Sequence, residues 1–133
     1  MRYVLDTNIV IAALKQHAAV LGKLADVDAT EIGIPLLVVG ELMFGALRSQ
    51  RVEANLVEIR RLRSHFAILP VSEAVIERYA AVRARLADRG TPKGDFDLII
   101  ACTALEHGAT LVTNDGGLKD GTLEGLTVED WLA

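Results

Sequence analysis

Apolar residues in this chain follow two patterns, short unbroken runs and stripes at helical spacing. Arg2-Tyr-Val-Leu-Asp6 is a brief run of β-formers and predicts a first, buried strand. Thr7 or Asn8 can then cap a helix through Ile9, Ile11, Ala12, Ala13 and Leu14, and a second short helix is predicted over Ala18 to Ala25. Glu31-Ile-Gly-Ile-Pro35 predicts a second strand, with Pro35 near the start of a helix from Leu36 to Arg48. Val52, Leu56, Ile59 and Leu62 recur at steps of four, three and three, the stripe of an amphipathic helix. Phe66 to Pro70 predicts a third strand, and Ser72 can cap a long helix to about Asp88. Thr91-Pro-Lys-Gly94 is the clearest loop. A further helix is predicted to His107, stopped by Gly108, and then a strand from Ala109 to Thr113. Gly116, Gly117 and Gly121 predict a mobile loop, and Leu126 to Glu129 a last short strand.

Strands that alternate with helices imply a three-layer α/β/α sandwich around a central, mainly parallel sheet of about five strands. There is no internal repeat, linker or low-complexity segment, so residues 1–133 are expected to form a single domain. In such a sheet the ligand crevice lies at the carboxyl ends of the strands, beside a topological switch point.

Composition narrows the class. Hydrophobic residues make up 51% and charged residues 24%, an ordinary globular balance. No uncharged stretch exceeds nine residues, too few for a membrane span. The first strand begins without a basic leader or cleavage site, and a cytoplasmic protein is expected. The single Cys102 excludes an internal disulfide, and its apolar neighbours suggest packing.

Four carboxylates break the pattern. Asp6 is the only charged residue between Arg2 and Lys15, and Glu41 the only one between Glu31 and Arg48. Asp97 opens the run Leu98-Ile-Ile-Ala-Cys102, and Asp115 closes Thr110-Leu-Val-Thr-Asn-Asp115. Carboxylates beside core-forming segments are costly unless paired, protonated or bound to metal. Asp6 and Asp115 fall at strand ends, and Glu41 and Asp97 fall early in helices, so all can reach one end of the sheet. Hard cations such as Mg²⁺ or Mn²⁺ suit oxygen ligands, and such an ion activates water and neutralises a phosphodiester under attack. Each acid also has a plain alternative: Asp6 as a helix cap, Glu41 paired with an arginine, Asp97 as a first-turn acid, Asp115 as a turn residue. Asp95 competes with Asp97 for its role. Thr7, Asn8, Thr113 and Asn114 can orient the carboxylates or serve as caps and turn formers. With those four acids set aside, the 18 acidic and 14 basic residues become 14 against 14, so no generally basic surface steers phosphate.

Leu5-Asp-Thr-Asn8, Val39-Gly-Glu-Leu42, Asp97-Leu-Ile-Ile-Ala101, Leu111-Val-Thr-Asn-Asp115 and Gly125-Leu-Thr-Val-Glu129 occur in that order. Together they resemble the PIN-domain family, and specifically the VapC-type toxins of bacterial toxin–antitoxin systems, across essentially the whole chain. The resemblance implies that Asp6, Glu41, Asp97 and Asp115 form an acidic catalytic and metal site, supported by Thr7, Asn8, Thr113 and Asn114. It also implies an Mg²⁺- or Mn²⁺-dependent endoribonuclease acting on RNA, often structured RNA such as tRNA. An antitoxin that silences the enzyme and a homodimer are implied as partners, with no membrane.

Two other classes that place acids and metal at strand ends, one an enzyme and one a signalling domain, fail on visible residues. A haloacid-dehalogenase phosphotransferase needs a second Asp where this chain has Asn8, and a receiver domain needs an acid after the third strand, where Phe66 to Val71 offers none. The remaining alternative is a catalytically weak PIN-fold protein that binds RNA or a partner. Arg48, Arg51, Arg60, Arg61 and Arg63 are candidate phosphate contacts, or else a solvated face interleaved with Glu53 and Glu58. The segment Leu42 to Leu47, with the Val52 stripe, is a candidate antitoxin or dimer surface, or else core.

Overall fold

The computed structural model describes residues 1–133. The chain runs β1 (Tyr3–Leu5), α1 (Thr7–Leu14), α2 (Ala18–Ala25), a 3-10 turn at Ala29–Glu31, β2 (Ile32–Pro35) and α3 (Leu36–Leu47). It continues through α4 (Val52–His65), β3 (Ala67–Leu69), α5 (Glu73–Asp88), α6 (Asp95–Glu106), β4 (Thr110–Val112), α7 (Gly116–Lys119) and β5 (Val128–Glu129). No helix is long and apolar enough to cross a membrane.

The five strands form one sheet in the order β3-β2-β1-β4-β5, parallel throughout. Every residue of β1 and β2 is buried, on both faces of the pleat. That burial requires cover on both sides, as parallel sheets show, and gives the expected layered sandwich. The core is one cluster that includes Val4, Leu5, Ile9, Ile32, Ile34, Leu98, Ile100 and Leu111, with Trp131 closing it against the ring of Tyr3 at 5.2 Å. Cys102 is free and buried within it, as packing predicts.

The helix ends follow local chemistry. Ser72 caps α5 by accepting from the Val75 amide at 3.2 Å, and His107 ends α6 before Gly108 turns with φ +59°. Two expectations need correction. The first helix is capped by Asp6, whose side chain accepts from the Thr7 amide at 2.8 Å, so Thr7 and Asn8 lie inside it. The glycine-rich segment is only partly a loop: Gly116 to Lys119 forms a helical turn, with Asp115 capping it and Lys119 held by Asp130, while Gly121 lies in the loop that follows, at φ +80°.

Candidate active site

Strands β1, β2 and β3 spread to one side of the sheet, and β4 and β5 to the other. The switch point therefore lies between β1 and β4. Asp6 directly follows β1, and its amide donates to the Val112 carbonyl at 2.9 Å, which ties it to β4. Asp115 follows β4, Glu41 sits midway along α3 after β2, and Asp97 is in the first turn of α6. Topology alone brings these acids, which are distant in sequence, to one edge.

All four line a single open cleft of about 490 Å³, together with Thr7, Asn8, Ile11, Asn114 and Gly116. No lysine, arginine or histidine lines it, and none of the four carboxylates is in an ion pair. Their partners are neutral. Thr113, fully buried, donates its hydroxyl to Asp6 Oδ2 at 2.7 Å and accepts the Asp115 amide at 3.0 Å. Thr7 donates to Glu41 Oε1 at 2.9 Å. Asn8 reaches Asp6 Oδ2 at a long 3.5 Å and accepts the Asn114 amide at 3.1 Å, while the Asn114 side chain donates to Asp130 at 3.0 Å.

The electrostatics record the crowding. Burial pushes the Asp6 carboxyl above its usual range, with Asp115 adding repulsion, while the Thr113 hydroxyl, the Thr7 amide and the Asn8 side chain pull it back. The Asp97 carboxyl is pushed up to about 6, first by burial and then by the charges of Asp115, Asp6 and Glu41. No three carboxylate, histidine or cysteine side chains are gathered tightly enough to enclose a metal ion by themselves. The donor set nonetheless suits a hard cation that keeps part of its water, since such an ion needs only one or two direct carboxylates.

Asp95 does not compete for this cleft. Its carboxylate accepts from the Tyr79 hydroxyl at 2.8 Å and lies 3.3 Å from Arg83, on the outer side of α6. The five candidate arginines are exposed and none lines the cleft, and Arg61 pairs with Glu58 at 2.9 Å. Within the candidate docking segment, Leu42 and Ala46 are buried, whereas Met43, Phe44 and Leu47 are exposed, joined by Leu36 about two to three turns before them. Nothing in the residue pattern marks Ile11, which reads as an ordinary apolar helix position yet lines the cleft. Asp130, which holds Asn114, is equally unmarked.

The PIN domain model matches residues 3–121. The chain is 33% identical over 131 residues to the tRNA(fMet)-specific endonuclease VapC of Shigella flexneri, covering 98% of each. Among solved structures it is similar to VapBC2 of Rickettsia felis bound to a DNA fragment from their promoter, with TM-score 0.88, 31% identity and coverage of 98% and 99%. DNA-bound VapBC of Salmonella typhimurium matches with TM-score 0.88, 27% identity and 98% coverage of both chains. The strand order, the edge at which the acids meet and these likenesses agree, and the chain belongs to the PIN-domain family and, within it, to the VapC group.

Proposed function

We propose that this protein is a metal-dependent endoribonuclease that hydrolyses RNA phosphodiester bonds, the toxin of a VapBC-type module acting in the cytoplasm. The observation that carries the reading is the convergence of Asp6, Glu41, Asp97 and Asp115 on one cleft with no cation of the protein's own. One or two of these carboxylates would hold Mg²⁺ or Mn²⁺ directly and the others through its water. When bound, the ion supplies Lewis-acid polarisation of the phosphodiester and lowers the pKa of water. The chain supplies the geometry. Thr113 fixes Asp6 and the Asp115 backbone with one hydroxyl, and Thr7 fixes Glu41. Asp97 lines the same cleft, its carboxyl pushed up to about 6 by burial and by the charges of Asp115, Asp6 and Glu41, and a bound cation would relieve that repulsion.

The name of the Shigella relative supports tRNA as the substrate class. The VapBC structures support an antitoxin partner, and a guanidinium on that partner has the charge and fork geometry to bind the unpaired carboxylates in place of metal. The outward row of Leu36, Met43, Phe44 and Leu47 on α3 is an apolar face suited to self-association as a homodimer.

The test is cleavage of tRNA by the isolated chain with Mn²⁺, with chelator, and with Asp6→Asn. Chelator should abolish cleavage, and D6N should lower it by more than about 100-fold, beyond the loss expected from a merely supporting contact. Equal cutting by D6N and wild type would refute the assignment of the site, and no cutting by either would favour the alternative of a PIN-fold binding protein.

A further inference from the structure

The segment between α5 and α6 carries Lys93, whose side chain is only 10% exposed. Its ammonium donates to the Gly117 carbonyl and, at 2.8 Å, to Asp120 Oδ2. Both acceptors belong to the α7 turn, Gly117 as its second residue and Asp120 as the residue that ends it. The amide of the same Gly117 donates to Asp115 Oδ1 at 3.2 Å. One glycine therefore meets Lys93 at its carbonyl and Asp115 at its amide. Gly116 and Gly117 have no side chains to restrict their own backbone, so the conformation here must be imposed from outside.

Asp120 is itself held, accepting from the Thr122 amide at 3.0 Å and the Thr122 hydroxyl at 2.7 Å. On the other side of the turn, Lys119 pairs with Asp130 at 2.6 Å. Lys93 differs from Lys119 in where it starts: one residue before Gly94, the cap of α6, and four before Asp97. We propose that Lys93 is a positioning residue, tying the segment that bears Asp115 to the helix start that bears Asp97 and so fixing the spacing of those two carboxylates. Lys93 lies outside the cleft lining and acts through the glycine backbone. The inference rests on reading the acids as a nuclease site.

Lys93→Met keeps the length of the side chain and removes its donors, while Lys93→Arg keeps the charge. Amide hydrogen exchange at 115–119 reads the tie directly, Mn²⁺ binding reads the carboxylate spacing, and steady-state cleavage separates kcat from KM. K93M should exchange faster at 115–119, bind Mn²⁺ roughly 10–100-fold more weakly and lose kcat by a similar factor with KM for RNA unchanged. K93R should recover most of each loss. Unchanged exchange or unchanged Mn²⁺ affinity in K93M overturns the proposal, as does a fall in kcat that merely follows loss of folded protein. A wild-type chain that neither binds Mn²⁺ nor cuts RNA refutes the nuclease reading instead, and that result is separate from the exchange measurement.

Discussion

Replacing Asp97 by Asn should stabilise the protein while destroying its chemistry, and the gain should depend on pH. Asp97 ionises at about 6 rather than 3.8 because of burial and the charges of Asp115, Asp6 and Glu41. Between those values the folded protein holds a proton that the unfolded chain has released. Stability therefore falls as pH rises through this window and levels off above it. The difference between about 6 and 3.8 corresponds to roughly 3 kcal/mol. Asp97 is only half-buried, and screening by solvent reduces the share expressed as stability to about 1–2 kcal/mol. Asn carries no charge at any pH, so D97N should gain that amount near pH 8 and almost nothing near pH 4. For a chain of this length, about 1 kcal/mol moves the thermal midpoint by roughly 3–5 °C. Trp131, the only tryptophan and buried against Tyr3, gives a fluorescence signal for unfolding. The assay is thermal unfolding in chelator near pH 4, 6 and 8, repeated with Mn²⁺. The ion should raise the wild-type midpoint more than that of D97N, since it relieves the same repulsion. A D97N protein less stable than wild type near pH 8, or a gain independent of pH, would refute the electrostatic account.

Thr113→Val removes the hydroxyl that serves both Asp6 and the Asp115 amide; it should cost about 1–3 kcal/mol in urea unfolding and weaken Mn²⁺ binding, while Thr113→Ser retains both. Reversing Arg60 and Arg61 to Glu should lower RNA affinity and flatten its dependence on salt by up to about two phosphate contacts. An unchanged slope would leave these arginines as a solvated face. Phe44→Glu with Leu47→Glu charges the outward row of α3 and should turn the proposed dimer into a folded monomer by sedimentation, with a thermal midpoint lowered only by the lost association. A dimer that persists would place the subunit contact elsewhere.

The elements were legible wherever period and punctuation agreed. Val52, Leu56, Ile59 and Leu62 gave the stripe of α4, and Ser72 marked the start of α5 within one residue. The strands are shorter than the apolar runs, because only the central residues of Phe66–Pro70 and Ala109–Thr113 pair with a neighbour. The acids could be suspected because charge is expensive beside Leu98-Ile-Ile and Tyr3-Val-Leu. That they line one cleft depends on strand order, which no local pattern encodes. The α7 turn was missed for a related reason. Gly116 and Gly117 favour no structure of their own, and the contacts that order them come from Lys93, 24 residues away in sequence, and Asp130. Asp95 and Asp97 differ by two residues, which on a helix places them on different sides; Tyr79 and Arg83 claim the first and leave the second to the cleft.

The way the acids are held is consistent with the proposed exchangeable cation and not with a permanent ion pair. Arg61, Arg78, Arg83, Arg85, Lys93 and Lys119 all pair with acids outside the cleft. Asp6, 4% exposed, has only hydroxyl, amide and backbone donors, which offset part of its burial without cancelling its charge. Asp97 is raised first by burial and then by its acidic neighbours; a lysine within reach would offset that repulsion and would compete with a metal ion for the carboxylates. Neutral donors fix the geometry and leave the field intact. On the proposed reading, the stability that D97N is expected to recover is the cost of keeping the cleft open to a cation, and the destabilising feature and the functional one are a single arrangement of charge.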